Sequence, residues 1–331
     1  MPDSTNHSLL PIAVLGAGAW GTALALHLAR NGQHVKLWAY EKEQVEQINK
    51  TRCNSRYLPN QVLPSSIVCS HDYQEVLSEV RDILIVVPSS VFRTTLQAIK
   101  SLLTANQRLL WATKGLDDEK HQLLHEVTGE VLGEIDTAVL SGPSFAKEVA
   151  MGLPTAVTIA SKQSEFASAL LQRFQSKNFR VEITTDMVGV ELGGAIKNVL
   201  AIAVGIAEGL GFGANAKAAL ITRGLAEMTE LGIALGAEQA TFLGLSGLGD
   251  LVLTCTDNQS RNRRLGLALG QGQTLEEAKK ALGTTEGTVT AKNIFYLLGK
   301  YKINAPICEA VYHVLYEQKL PNFLFDTVFN C

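Results

Sequence analysis

Lys197 lies in residues 192–207, where every other side chain is uncharged. The run has no proline and is rich in Ala, Leu and Ile, so it reads as a buried helix. A lysine in such a helix must be paired or must give up proton affinity, because burial disfavours the ammonium form. A side chain that ordinarily titrates near ~10.4 then becomes a usable base close to neutral pH. The alternative is a lysine whose stem is buried while its head reaches water. Gly193 and Gly194 one turn before, and Ala201 one turn after, are expected to leave open space around the ammonium. Asp250, the single carboxylate of a Gly/Leu segment, either pairs with Lys197 or caps a helix. Ser260-Arg261-Asn262-Arg263-Arg264 sets a guanidinium and an amide beside a hydroxyl. That group suits bidentate contact with a phosphate, or it is a solvated basic helix end.

A base of this kind needs a reaction partner, and the start of the chain offers one. Ile12-Ala13-Val14-Leu15 suits a buried parallel strand. Gly16-Ala17-Gly18-Ala19-Trp20-Gly21 follows, and then a helical run through Ala29. This is the glycine fingerprint of a dinucleotide site in its strand–turn–helix setting. Gly16 permits the tight turn, Gly18 lets a pyrophosphate approach the backbone, and Gly21 lets helix and strand pack closely. The helix N-terminus offers free N–H groups to the phosphates. The alternative is a glycine-rich turn that binds nothing.

In NAD-preferring folds an acidic residue near the end of the second strand receives the ribose 2′-hydroxyl. Here Val35-Lys36-Leu37-Trp38 is followed by Ala39-Tyr40-Glu41. Glu41 falls just beyond the expected strand end, and no Arg follows immediately to hold a 2′-phosphate, although Lys42 is close. Tyr40 is a candidate for the adenine face. NAD and NADP both remain open.

Further strands are expected at residues 82–87, 108–113, 137–140, 154–160 and 179–183. Ligands in open α/β sheets bind beyond the carboxyl ends of the strands. Lys114 and the loop Ser141-Gly142-Pro143-Ser144-Phe145-Ala146 fall on that edge by position, though Lys114 also reads as a solvated loop lysine. After residue 190 strand signals fade and helical spacing takes over, through Leu282 and again from Thr290 to Leu320, with a break at Pro306. Residues 283–289 read as a polar loop. The expected organisation is a loose tail (1–10), a Rossmann-like α/β dinucleotide-binding domain (11–190) and an all-helical substrate domain (191–331), with the Lys197 helix between them.

Composition bounds the function classes. The 331 residues include 46% apolar and 18% charged side chains, which suits two folded domains. A net charge of −3 argues against a general nucleic-acid surface, so an anionic ligand needs a local cluster of cations. The five cysteines form no C-x-x-C pair and are odd in number, which fits a reducing cytoplasm. His121 and His125 are four apart and are expected on a solvated helix face, without a third ligand nearby; no metal is expected. Residues 9–29 lack charges and match a membrane span in length, but no Lys or Arg precedes them and the fingerprint lies inside. No membrane insertion is expected.

Six segments together resemble the NAD(P)-dependent glycerol-3-phosphate dehydrogenases, most closely the bacterial cytoplasmic form. They are residues 16–23, Ala112-Thr113-Lys114-Gly115, residues 141–148, Gly194-Ala195-Ile196-Lys197-Asn198, Gly247-Leu248-Gly249-Asp250-Leu251, and Ser260-Arg261-Asn262. The resemblance implies reversible reduction of dihydroxyacetone phosphate to sn-glycerol 3-phosphate by NADH or NADPH, serving phospholipid synthesis. It implies Lys197 as proton acceptor and donor, and Lys114 in contact with both cofactor and substrate. Gly142, Ser144, Asp250, Ser260, Arg261 and Asn262 would line the substrate site, with Arg261 also near the cofactor. Gly16, Gly18, Ala19, Trp20, Gly21, Tyr40, Ala146 and Glu286 would meet the dinucleotide. Family members often carry Arg or His where this chain has Tyr40. Two competing readings are another β-hydroxy dehydrogenase, of 6-phosphogluconate or 3-hydroxyacyl-CoA type, and a redox sensor that binds the nucleotide without chemistry. A homodimer is a further expectation.

Overall fold

The computed structural model describes residues 10–283 and 285–329. The expected tail up to residue 9 and the terminal Cys331 lie outside these. Eight strands form one sheet: β1 (Ile12–Leu15), β2 (Val35–Trp38), β3 (Ile67–Ser70), β4 (Asp82–Ile85), β5 (Arg108–Trp111), β6 (Thr137–Ser141), β7 (Thr155–Ala160) and β8 (Phe179–Thr184). Their order is β3-β2-β1-β4-β5-β6-β7-β8, and β6–β7 is the antiparallel step. Strand order reverses at β1, so a crevice opens at the carboxyl ends of β1 and β4, the topological switch point. The central strands β1, β4 and β5 are buried at every position, in keeping with their largely apolar runs Ile12-Ala13-Val14-Leu15, Ile83-Leu84-Ile85 and Leu109-Leu110-Trp111.

β3 is not among the strands expected from the sequence. It is a four-residue edge strand with alternating burial and Val68 exposed, too short and too mixed for a core-strand pattern. Residues 86–87 and 112–113, expected as strand ends, already belong to the loops at the ligand edge.

Beyond β8 the described chain is helical. The central helix Met187–Gly209 is nearly all buried, which is why it is apolar around its whole circumference. Its length and composition would suit a membrane span, but its apolar window lies wholly inside the fold. Asp186 caps its start by accepting from Gly189 N, and also accepts from Glu238 N and Thr241 Oγ1. The helix Arg261–Gly270 crosses the central helix at backbone contact. A Cβ on Gly205 would lie 2.1 Å from Arg263 O, and one on Gly266 would lie 2.0 Å from Ile202 O. This crossing brings Asn262 against Asn198, the residue after Lys197. Pro306 occupies the first turn of the helix Pro306–Tyr316, after the break expected there. Residues 286–289, read as loop, begin the helix Glu286–Tyr301 instead.

Candidate active site

Two lysines from distant parts of the chain meet on one carboxylate. Lys197 Nζ is 2.5 Å from Asp250 Oδ1, and Lys114 Nζ is 2.6 Å from Asp250 Oδ2. Asp250 is 1% exposed and Lys197 7% exposed, so neither charge is solvated by bulk water. Lys114 arrives from the loop after β5 and also donates to Gly142 O at 3.2 Å. Lys197 Nζ donates a second bond to Thr254 Oγ1 at 3.0 Å. The Thr254 hydroxyl is itself committed to Asp250 O at 2.7 Å, so it accepts from the ammonium.

Burial pulls the Lys197 pKa down, Asp250 pulls it back up and Lys114 lowers it further, leaving it at about 8. Glu286 stands within electrostatic reach of the same group. Burial raises its pKa, and Arg261, Lys114 and Lys197 lower it.

The glycines before Lys197 do something other than the sequence suggested. They leave no open space. A Cβ on Gly193 would lie 2.4 Å from Ser246 O, and one on Gly194 would lie 2.7 Å from Ser141 Oγ and 3.6 Å from Lys114 Cγ. Their missing side chains let the loop after β5, the end of β6 and the segment before Asp250 press onto the helix. That close approach is what brings Asp250 and Lys114 to Lys197.

A polar rim surrounds this centre. Asn198 Oδ1 accepts from Asn262 Nδ2 at 2.8 Å, and Asn262 Oδ1 accepts from Gly287 N at 3.0 Å. Asn262 therefore ties three helices together and keeps one amide N–H to donate. Ser260 caps its helix by accepting from Arg263 N at 3.2 Å, which leaves the hydroxyl proton free for another acceptor. Arg261, the first helical residue, is exposed. Ser144 Oγ donates to Gly142 O at 2.8 Å.

The fingerprint turn borders the same edge. Gly16 has φ +122°, and a Cβ there would lie 2.7 Å from Val86 O. A Cβ on Gly21 would strike Gly16 O at 1.9 Å, so this glycine is what allows the helix to sit on the strand. Above Gly18, which precedes the helix Ala19–Arg30, the space is open among the described residues. Trp20 Nε1 is buried with no partner among the described residues. Open backbone at a helix N-terminus and an orphaned donor beside it fit a dinucleotide phosphate. Ala146 and Trp20 both pack on the sheet core. Tyr40 is 83% exposed just past β2 and meets Trp38 edge-on.

Comparison with known proteins gives the family. Residues 11–167 match the model of the NAD-dependent glycerol-3-phosphate dehydrogenase N-terminus, and residues 186–326 match that of its C-terminus. The chain belongs to the NAD-dependent glycerol-3-phosphate dehydrogenase family. A relative named glycerol-3-phosphate dehydrogenase, from Bartonella henselae, is 52% identical over 308 residues, 92% of this chain and 91% of that protein. One from Aliivibrio fischeri is 50% identical over 322 residues, 96% of this chain and 94% of that protein. The crystal structure of glycerol-3-phosphate dehydrogenase from Coxiella burnetii superposes with a TM-score of 0.95 at 49% identity, covering 97% and 99% of the two chains. The fold is thus the family's, with an N-terminal Rossmann-like domain and a helical C-terminal one.

Within this family frame the structure gathers Lys114, Gly142, Ser144, Lys197 and Asp250 through direct bonds. It joins Asn262 to them through Asn198. Asp250 begins a helix, but both its oxygens face lysines, so the capping reading does not hold. The Lys114 head is likewise held, not solvated. Thr254 and Asn198 were missed, although Thr254 stands one helical turn after Asp250 and that spacing was a usable signal. His121 and His125 share no helix face. His121 is a loop residue with φ +55° whose ring bonds Asn293 and stacks on Tyr296. His125 bonds Glu191 at 2.6 Å, and Glu191 also accepts from Trp111 Nε1 at 3.0 Å.

Proposed function

We propose that this chain is a glycerol-3-phosphate dehydrogenase that interconverts dihydroxyacetone phosphate and sn-glycerol 3-phosphate with NADH or NADPH, and that Lys197 moves the proton. The single observation that carries the reading is the pair of lysines on Asp250 at the carboxyl edge of the sheet, in a chain about half identical to proteins of that name.

When bound, the dinucleotide supplies or takes up the hydride at its nicotinamide. Gly16, Gly18 and Gly21 shape its turn, the Ala19 end of the helix faces its phosphates, and Trp20, Tyr40, Ala146, Arg261 and Glu286 complete its surroundings. Lys197 works because two of its hydrogen bonds are already assigned, to Asp250 and Thr254. The ammonium has a third N–H for the substrate oxygen; the neutral amine offers a lone pair there instead. In reduction Lys197 gives its proton to the carbonyl oxygen, and in oxidation it takes the hydroxyl proton. Lys114 adds a second positive charge that stabilises the developing alkoxide. Ser260, Arg261 and Asn262 hold the phosphate, with Gly142 and Ser144 closing the far side, so the reacting carbon is aligned.

The product serves glycerophospholipid synthesis, and the protein works in the cytoplasm as a homodimer. Supporting this, the described cysteines Cys53, Cys69, Cys255 and Cys308 are all free thiols, and Ile233 and Leu243 expose apolar surface on the helical domain. A substrate panel tests the reading: dihydroxyacetone phosphate, 6-phosphogluconate and a 3-hydroxyacyl-CoA, each with both cofactors in the matching redox state. Turnover confined to the dihydroxyacetone phosphate and glycerol 3-phosphate couple is expected. Preference for either rival would replace the substrate assignment. Nucleotide binding with no turnover of any kind would favour a sensor.

A further inference from the structure

Past the carboxyl end of β2 a carboxylate and a guanidinium, Glu41 and Arg56, are bonded to each other. Asn54 is fully buried and donates to Ala17 O and to Thr22 Oγ1, both at 2.8 Å. Gln44 Nε2 donates to the same Ala17 O at 2.8 Å and to Asn54 Oδ1 at 3.3 Å. These bonds fasten residues 53–58 to the fingerprint turn. Leu58 N and Tyr57 N close back onto Asn54 O, so Arg56 lies within a pinned turn. Its Nη1 reaches Glu41 Oε2 at 2.6 Å, although the two residues are 15 apart in sequence. Glu41 stands directly after Tyr40, past the carboxyl end of β2.

A carboxylate after the second strand receives a ribose diol in NAD-binding folds, and a nearby Arg receives the 2′-phosphate in NADP-binding folds. This chain supplies both. The Arg that the local sequence lacks after Glu41 arrives from the pinned turn. The side chains are 60% and 46% exposed, so the ion pair is weak and opens readily.

We propose that Glu41 and Arg56 form an exchangeable reader of the adenosine 2′ position. A 2′-hydroxyl is received by Glu41 while Arg56 stays on the carboxylate. A 2′-phosphate draws Arg56 off Glu41 and takes the guanidinium in a bidentate contact. The element gives the chain use of both nucleotides, with Arg56 setting the affinity for the phosphorylated one. The proposal rests on the dinucleotide lying across the Gly16–Gly21 turn.

Calorimetric titration with 2′,5′-ADP and 5′-ADP tests it without turnover. Arg56→Ala should weaken 2′,5′-ADP at least tenfold and change 5′-ADP less than twofold, and Arg56→Lys should restore part of the loss. Glu41→Gln should weaken 5′-ADP while leaving 2′,5′-ADP equal or tighter, because Arg56 is released. The KM values for NADPH and NADH should move in the same ranking. Equal effects of Arg56→Ala on the two fragments, or none on either, would overturn the proposal alone. Failure of the unaltered protein to bind either fragment would overturn the dinucleotide reading as well.

Discussion

Lys114 and Lys197 are held on opposite oxygens of the Asp250 carboxylate, 2.6 and 2.5 Å away. The group therefore carries one net positive charge when both lysines are protonated. A buried carboxylate shared in this way cannot fully compensate both ammonium ions, and burial makes Lys197 release its proton more easily than an ordinary lysine.

That arrangement fixes a pH dependence. Lys197, with its pKa at about 8, is protonated below that value and neutral above it. Reduction of dihydroxyacetone phosphate needs the proton, so its kcat/KM should be flat below about pH 8 and fall about tenfold per unit above. Oxidation of glycerol 3-phosphate needs the neutral amine and should rise up to the same pH. Asp250→Asn removes the charge that raises the Lys197 pKa, so the residual activity should shift its profile to lower pH. Identical profiles in the two directions would contradict the assignment.

Gly193 is required by packing. In Gly193→Ala the new Cβ meets the backbone of Ser246, which has no flexible end to move aside. Overpacking of this kind costs about 1–3 kcal/mol, and the strain falls on the segment that presents Asp250. Thermal unfolding should show a lowered Tm, and kcat should fall while cofactor Kd holds. A variant with unaltered Tm and kcat would show that the close approach is not needed.

Arg261 should act on the substrate more than on the cofactor. A charge-assisted bond to phosphate is worth about 1.5–3 kcal/mol, so Arg261→Ala should raise the KM for dihydroxyacetone phosphate by one to two orders of magnitude. Cofactor Kd, measured by fluorescence titration, should change only a few-fold. The reverse ranking would leave Arg261 serving the dinucleotide alone and remove it from the substrate phosphate.

What the sequence made legible was local. The fingerprint at Gly16–Gly21 needs only a strand before it and a helix after it. Lys197 announced itself as a charge in an apolar helix. The meeting of Lys114 with Asp250 was not legible, because 136 residues separate them and no pattern records that distance. Gly193 and Gly194 were visible as small residues, but sequence does not say whether a gap is left open or filled by another loop. Arg56 was overlooked for the same reason: its partner Glu41 is close only after Asn54 pins the intervening turn. His121 and His125 looked like a helix face, whereas the helix begins at Leu124 and leaves His121 in the loop.

The central claim is that Lys197 moves the proton in a nicotinamide-dependent reduction of dihydroxyacetone phosphate. Steady-state oxidation of NADH and NADPH by dihydroxyacetone phosphate, in the unaltered protein and in Lys197→Ala, tests it most directly. Turnover is expected with at least one cofactor, and the variant should lose about 10²–10⁴-fold in kcat with cofactor Kd unchanged. Silence of the unaltered protein with both cofactors, or near-normal kcat in Lys197→Ala, would contradict it.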